Sequence, residues 1–413
     1  MDVKAEPVLI EDQNHKKSNN ALSEMSKQKI IRITTVGQSM AGILKGQLRF
    51  MNNHYEVIGI SSGGDSLCAV EENEGIKTYA VNMTRRISPL RDLKALVKLY
   101  RIIRNEKPTI VHTHTPKAGI LGMVASYLAR VPVRIHTVAG LPLMEATGAK
   151  RILLENVEKL TYRCASKVYP NSAGLSDFIN SKSFCIPDKV KVIGHGSSNG
   201  IDTSFFSQDE VTEETLAAIR EKYSIPESAI VFCFVGRIVG DKGINELLAA
   251  FVKIHEKHPN SRLLLVGPFE RELDKLSDES EQLIREHEGV IWTDYQTDVR
   301  PFFSLSDVFT FPSYREGFPN VVMQAGAMKL PCIVSDINGC NEIVKDGVNG
   351  LIVPPKEVES LYRAMETLFL NEELRKNLSA KARQMIIDKY ERKVMWKKLL
   401  HEYDEVIAGL KLN

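Results

Sequence analysis

The stretch Phe311–Pro331, FPSYREGFPNVVMQAGAMKLP, changes character twice within a few residues. The apolar run from Asp307 to Phe311 reads as a strand that ends at Phe311-Pro312-Ser313. A polar, glycine-containing turn occupies Tyr314 to Asn320. Val321 to Lys329 reads as a helix, with Pro319 just before it and Pro331 just after it. The pattern is strand, loop, helix, with a carboxylate (Glu316) and a glycine (Gly317) inside the loop. A loop that enters a helix leaves backbone N–H groups unpaired at the positive end of the helix dipole. Such a place suits phosphates or sugar hydroxyls. Taken alone, it is equally an ordinary strand-to-helix link of an α/β protein.

The same alternation runs through the first half of the chain. Lys29 to Val36 is a β-branched run, and the small-residue loop Gly37-Gln38-Ser39-Met40-Ala41-Gly42 follows it. In open α/β sheets ligands sit at that edge, which makes Gly37 a candidate contact. The loop does not match G-x-G-x-x-G. Ile43 to Asn52 reads as a helix, and Tyr55–Ser61 and Lys77–Val81 as strands. Asp92 to Asn105 is amphipathic, with Leu93, Leu96, Val97, Tyr100 and Ile103 on one face. Lys94, Lys98, Arg101 and Arg104 lie on the other face, with Arg85, Arg86 and Arg91 nearby. This basic face is either simply solvated or a surface for anionic lipid or a phosphate-bearing acceptor. Thr109–His112 is a strand that runs into His112-Thr113-His114-Thr115-Pro116-Lys117, ahead of a small-residue helix, Gly119–Ala129. No acid or cysteine near the two histidines completes a metal site, and none is expected. One histidine is expected to be buried against backbone, the other to face a cleft with Lys117. Strands at Val133–Val138, Lys167–Pro170 and Val190–Ile193, with a helix over Lys150–Ala165, complete a pattern that means a parallel sheet.

His195 to Gly200 is small and polar and marks the expected boundary. Ala229–Gly236, AIVFCFVG, then reads as a central strand, apolar on both faces. It runs into Arg237-Ile238-Val239-Gly240-Asp241-Lys242-Gly243, where Arg237 offers a planar fork and Lys242 a point charge for an anion. Further strands fall at Arg262–Pro268, Val290–Thr293, Val308–Phe311 and Cys332–Ser335. Helices are expected at Ile244–His255, Val358–Leu370, Glu373–Asp388 and Glu391–Leu410. The expected division is a loose polar tail over 1–28, an α/β domain over 29–196, a second over 197–390, and a last helix over 391–413.

Composition limits the function. The 413 residues are 43% hydrophobic and 26% charged, enough chain for two cores. The formal net charge of +2 argues against a nucleic-acid binder. The six cysteines form no C-x-x-C pair, which fits a reducing compartment without zinc or redox motifs. No apolar run approaches the ~20 residues that cross a bilayer, and residues 1–28 lack the apolar segment of a signal peptide.

Four motifs in the second half, VGRIVGDKGI, SDVFTFPSYREGFPNVVMQAGAM, PCIVSDINGCNEIV and DGVNGLIVPP, come in a fixed order. Together they resemble the family 4 retaining glycosyltransferases of the GT-B fold. In the first half IIRITTV, KPTIVHTHTPKAG, PVRIHTVAGLP and HGSSNGID are similar to the subgroup that builds bacterial capsule, O-antigen and related lipid-linked glycans. The resemblance spans roughly residues 30–390. It implies two facing Rossmann-like domains with parallel sheets and an interdomain cleft. The C-terminal domain would hold a nucleoside-diphosphate sugar, a UDP-sugar, as donor substrate rather than cofactor. A polyprenyl-diphosphate-linked acceptor would approach from the N-terminal domain. The protein would be cytoplasmic, peripheral on the anionic inner face of the cell membrane.

Residue by residue, the resemblance makes Arg237 and Lys242 the diphosphate cations, with Gly236 beside them, and makes Glu316 the acid that reaches donor-sugar hydroxyls. The Gly317-Phe318-Pro319-Asn320 backbone would lie along sugar and phosphate. Two positions depart from the family pattern. The second acid of its Glu-x7-Glu pair is Gln324 here, and the histidine of its Thr-Val-His-Gly pattern is Ala139. Gln324 keeps an acceptor oxygen suited to a ribose contact. With no histidine at 139, His114 becomes the catalytic candidate from the first domain, beside Lys117. No Asp-x-Asp occurs, and metal independence is expected. Two alternatives stay open: a sugar-nucleotide epimerase on the same fold, and a donor-binding protein without catalysis.

Overall fold

The computed structural model describes residues 27–84, 88–144, 146–272 and 274–410. Most of the expected 1–28 tail, together with Arg85 and Arg86, lies outside the described residues.

Six strands form the first sheet: β1 (Lys29–Ile33), β2 (Glu56–Ser61), β3 (Lys77–Ala80), β4 (Ile110–Thr113), β5 (Val133–Val138) and β6 (Lys167–Pro170). All pair in parallel, in the order β3-β2-β1-β4-β5-β6. Successive side chains on a strand face opposite sides. Ile31 and Ile33 therefore pack under the helices Pro89–Glu106, Pro116–Leu128 and Gly148–Cys164. Ile30 instead packs with Met40, Leu48 and Val70 on the other face.

The second sheet repeats the plan with β7 (Ile230–Val235), β8 (Ser261–Val266), β9 (Val290–Asp294), β10 (Val308–Phe311), β11 (Cys332–Ser335) and β12 (Gly350–Val353). Its order, β12-β11-β10-β7-β8-β9, is again parallel throughout. The near-continuous apolar sequence of β7 follows from burial on both faces, with Phe232, Cys233 and Phe234 fully covered. This α/β architecture of two doubly wound sheets is the one the alternating sequence pattern predicts. Each sheet reverses its winding once, between β1 and β4 and between β7 and β10. The loops after those strands frame the crevice where such sheets take ligands.

Local differences have local causes. The helix expected over Ile43–Asn52 is two helices, Gly37–Ile43 and Gln47–Asn52. Gly46 breaks it at φ +76°, and a side chain there would strike the Trp396 indole. Val190–Ile193 is not a strand; Val190 makes a single bridge to Val168 and the sheet ends at β6.

After the Glu372–Tyr390 helix the chain returns to the first domain. Ile201 N donates to Tyr390 O (2.8 Å) and Arg392 N to Ile201 O (2.9 Å), so two strands of chain cross side by side. The last helix, Arg392–Leu410, then lies on the first sheet, with Leu399, Tyr403 and Ile407 in its core. Tyr403 OH meets His112 Nδ1 at 2.5 Å, and Tyr169 OH donates to Glu402 (2.8 Å). Both members of the Tyr403–His112 contact are buried. Tyr403→Phe removes the partner of a buried ring nitrogen, which costs about 1–3 kcal/mol. Chemical denaturation is expected to show that loss as an earlier transition; an unchanged midpoint would mean that the contact carries no stability.

Candidate active site

The loops after β7 and β10 close on each other at the second sheet's winding reversal. Gly243 adopts φ +72°, and a Cβ there would lie 2.1 Å from Pro312 O. Only glycine lets the two loops come this near. Tyr314 N donates to Asp241 O (2.9 Å), Arg315 pairs with Asp241 (2.7 Å), and Tyr314 OH donates to Glu246 (2.7 Å). Burial, helped by Glu246, raises the Tyr314 pKa, so the phenol stays a donor.

This zipper sets the charged pair. Lys242 Nζ and Glu316 Oε1 are in direct contact, their side chains 14% and 16% exposed. Ser313 Oγ, fully buried, donates to the same Glu316 oxygen at 3.1 Å. Lys242 also lies 5.8 Å from the Phe311 ring centre. Arg237 is more open and pairs with Glu270 at 3.2 Å. Gly236, at φ +155°, ends β7 beside Arg237. The helix Asn320–Ala327 begins at the end of the loop, with Pro319 as its N-cap. Asn320 and Gln324 stand four residues apart, on one face of it.

The Gly317–Asn320 segment also joins the domains. A Cβ on Gly317 would lie 1.9 Å from Ala139 O, so the loop rests on the turn after β5. The Phe318 ring is buried, 5.4 Å from the Tyr390 ring, and it closes over Gly196. Asn338 Nδ2 donates to Glu316 O (3.0 Å) and Gly317 O (2.7 Å), while its Oδ1 accepts from Ser172 Oγ (2.8 Å). Glu342 accepts from Ala173 N (2.8 Å) and Gly174 N (3.2 Å) at the start of the Ala173–Ser181 helix. The C-terminal edges of the two sheets thus face each other. Sequence reasoning singled out neither Asn338 nor Glu342 for this role. The INGCNE signal was visible, but its partners lie over 160 residues away.

The first domain's candidates sit differently. Gly37 is buried at the end of β1, packed on Ser66 and Leu67. His114, expected to face the cleft as a catalytic group, is buried instead. Arg32, itself fully buried and without an ion pair among the described residues, donates from Nε to His114 Nε2 (3.0 Å) and from Nη2 to Gln47 Oε1 (2.6 Å). The ring is therefore held as a neutral acceptor. Burial and the Arg32 charge push its pKa well below the usual histidine value. Its Nδ1 borders a cavity of about 20 Å³ shared with Thr137, Asn171 and Ser198. Lys117 is held by Asp92 (2.5 Å). His112, expected to bond backbone, bonds Tyr403 and Thr137 side chains. His136 packs under Gly119, and burial lowers its pKa to about 4. Among the described residues no three His, Cys, Asp or Glu converge as a metal site. Lys242 and Glu316 are brought into contact beside the Gly317–Asn320 backbone, and Arg237 stands in the same loop after β7 with Glu270 as its partner; Gly37 and His114 belong to the first domain.

Residues 217–385 match the family model for glycosyl transferases group 1, and residues 43–172 match that for glycosyl transferase 4-like domains. A capsular polysaccharide biosynthesis glycosyltransferase of Staphylococcus aureus is 33% identical over 92% of this chain and 98% of its own. A UDP-Gal:α-D-GlcNAc-diphosphoundecaprenol α-1,3-galactosyltransferase of Escherichia coli is 29% identical over 71% of this chain and 75% of its own. The solved structure of Anabaena HepE with UDP and glucose superimposes with a TM-score of 0.77, at 17% identity, covering 92% of this chain and 100% of that one. The fold is GT-B, and the chain belongs to the group 1, family 4-type glycosyltransferases. It is a glycosyltransferase.

Gly317→Ala tests the coupling of the two faces. The added methyl must displace the loop or the Ala139 turn. Transfer is expected to fall by about a hundredfold, the scale of a 1 Å misplacement, while the denaturation midpoint changes much less. Wild-type turnover would show that the close approach is dispensable.

Proposed function

We propose that this glycosyltransferase moves a sugar from a UDP-sugar, with retention at the anomeric carbon, to a polyprenyl-diphosphate-linked glycan in the making of a bacterial surface polysaccharide. The observation that carries the donor side is the Lys242–Glu316 pair fixed at the β7/β10 reversal, with Arg237 beside it. In transfer the bond from the anomeric carbon to the phosphate oxygen breaks, and negative charge grows on the leaving diphosphate. Fixed cations stabilise that charge more in the transition state than in the ground state. Lys242 and Arg237 serve this purpose. Glu316, oriented by Ser313, accepts from donor hydroxyls, and Gln324 receives the nucleotide ribose. The leaving phosphate oxygen takes the proton of the attacking acceptor hydroxyl on the same face. A neutral, buried His114 is not used as a base. Cations fixed by protein and the lack of Asp-x-Asp support a reaction independent of metal.

The donor and acceptor classes draw support from relatives. The E. coli enzyme's name specifies UDP-Gal and a diphosphoundecaprenol-linked sugar, and the Anabaena structure holds UDP and glucose. No helix among the described residues is long and apolar enough to cross a membrane; peripheral contact with a lipid-linked acceptor is part of this proposal.

The test is UDP release against a panel of UDP-sugars in EDTA, with and without a membrane lipid extract. One sugar is expected to give release, stimulated by lipid. Tight UDP binding with no release for any sugar, with or without the lipid extract, would overturn the donor and acceptor classes proposed here. Lys242→Ala is expected to lower kcat by about 10²–10³-fold. Activity abolished by EDTA and restored by a divalent ion would overturn metal independence.

A further inference from the structure

A cleft of about 520 Å³ opens in the first domain between the ends of β2 and β3 and the Pro89–Glu106 helix. Ser62 and Asn82 line one side, and Arg91, Lys94 and Lys98 the other. The three cations follow one stripe of the helix. None of them forms an ion pair among the described residues, and the nearest acid on the helix, Asp92, is already taken by Lys117 (2.5 Å). The cleft therefore carries unbalanced positive charge. It also adjoins the first sheet's winding reversal. Ser62 Oγ is within 2.7 Å of both Thr35 O and Met83 O, which ties the cleft wall to the loop after β1.

The rim is apolar. Leu90 is 79% exposed and Leu93 58%, both in the first turns of the same helix. Ile152 (63%) and Leu153 (47%) stand at the start of the Gly148–Cys164 helix, across the Pro116–Leu128 helix. Both helix starts follow strand ends, so these side chains belong to the edge that faces the second domain. Exposed leucines beside a concentrated cationic cleft match a ligand with an anionic head and an alkyl tail.

We propose that this cleft binds the diphosphate of the lipid-linked acceptor, with Arg91, Lys94 and Lys98 on the phosphates and Leu90 and Leu93 at the lipid. The proposal rests on the transferase reading and assigns its acceptor a site. Three cations compensate a diphosphate, and the tie to Thr35 puts the linked sugar next to the reversal that faces the donor loop.

The test is flotation with phosphatidylcholine vesicles that do or do not contain undecaprenyl diphosphate, alongside calorimetry with inorganic pyrophosphate. The protein is expected to float only with vesicles that contain the diphosphate lipid. R91Q/K94Q/K98Q is expected to weaken that binding by at least about 30-fold, from the loss of charge-assisted contacts. L90S/L93S is expected to weaken vesicle binding and leave pyrophosphate binding unchanged. UDP affinity, read on the other sheet, reports that each variant is folded. Equal flotation of the triple variant would overturn the proposal. So would equal wild-type flotation with phosphatidylglycerol vesicles of matched charge, because the patch would then be a general anionic surface. A protein that turns over UDP-sugar onto a soluble acceptor analogue yet ignores the diphosphate lipid would lose this site and keep the transferase reading. Diphosphate-lipid binding without turnover of any UDP-sugar would do the reverse.

Discussion

Everything at the donor side depends on how near the loops after β7 and β10 can come. That distance is set by backbone: Gly243 against the Pro312 carbonyl, at a left-handed φ no branched residue would hold. Once the loops meet, Lys242 and Glu316 are brought into contact at low exposure, and Ser313 fixes the carboxylate from below. An ammonium and a carboxylate held this way are oriented before any ligand arrives, and such preorganised charge is the property that electrostatic catalysis requires. Arg237 differs. It is more exposed and, among the described residues, pairs with half-exposed Glu270, an ion pair that costs little to break.

The same loop serves as the bearing between domains. Asn338 holds the carbonyls of Glu316 and Gly317 while its other end accepts from Ser172 of the first domain. Gly317 itself touches the Ala139 carbonyl. The geometry of the donor loop and the placing of the first domain are therefore not independent. On the far side, the crossing at Ile201 and Arg392 and the last helix on the first sheet give the second link.

The fold was legible because each sheet is made of short apolar runs separated by amphipathic helices, a pattern that local sequence carries by itself. That Lys242 and Glu316 would come together was legible for a related reason, since each sits in a loop that leaves a strand end. His114 was not. Its strand-end position suggested a cleft, but its environment comes from Arg32, 82 residues earlier, and a buried guanidinium without a carboxylate needs whatever acceptor the fold can offer. His112 was misjudged similarly, because its partner Tyr403 arrives with a helix from the other end of the chain. The break at Gly46 depends on Trp396 in the same way. Contacts that span the whole sequence leave no local signature.

The two departures from the family pattern fall where a side chain can change at small cost. At 139 the contact with Gly317 is made by the carbonyl oxygen, which every residue supplies, so the interdomain approach is indifferent to the missing imidazole. At 324 the side chain stands one turn beyond Asn320 on the same helix face. An amide there keeps an acceptor for a ribose hydroxyl and adds a donor. It also brings no second negative charge toward a diphosphate, so the field of Lys242 and Arg237 is opposed at this site by Glu316 alone among the pair of positions. The substitution at 324 leaves the Lys242–Glu316 contact as it is.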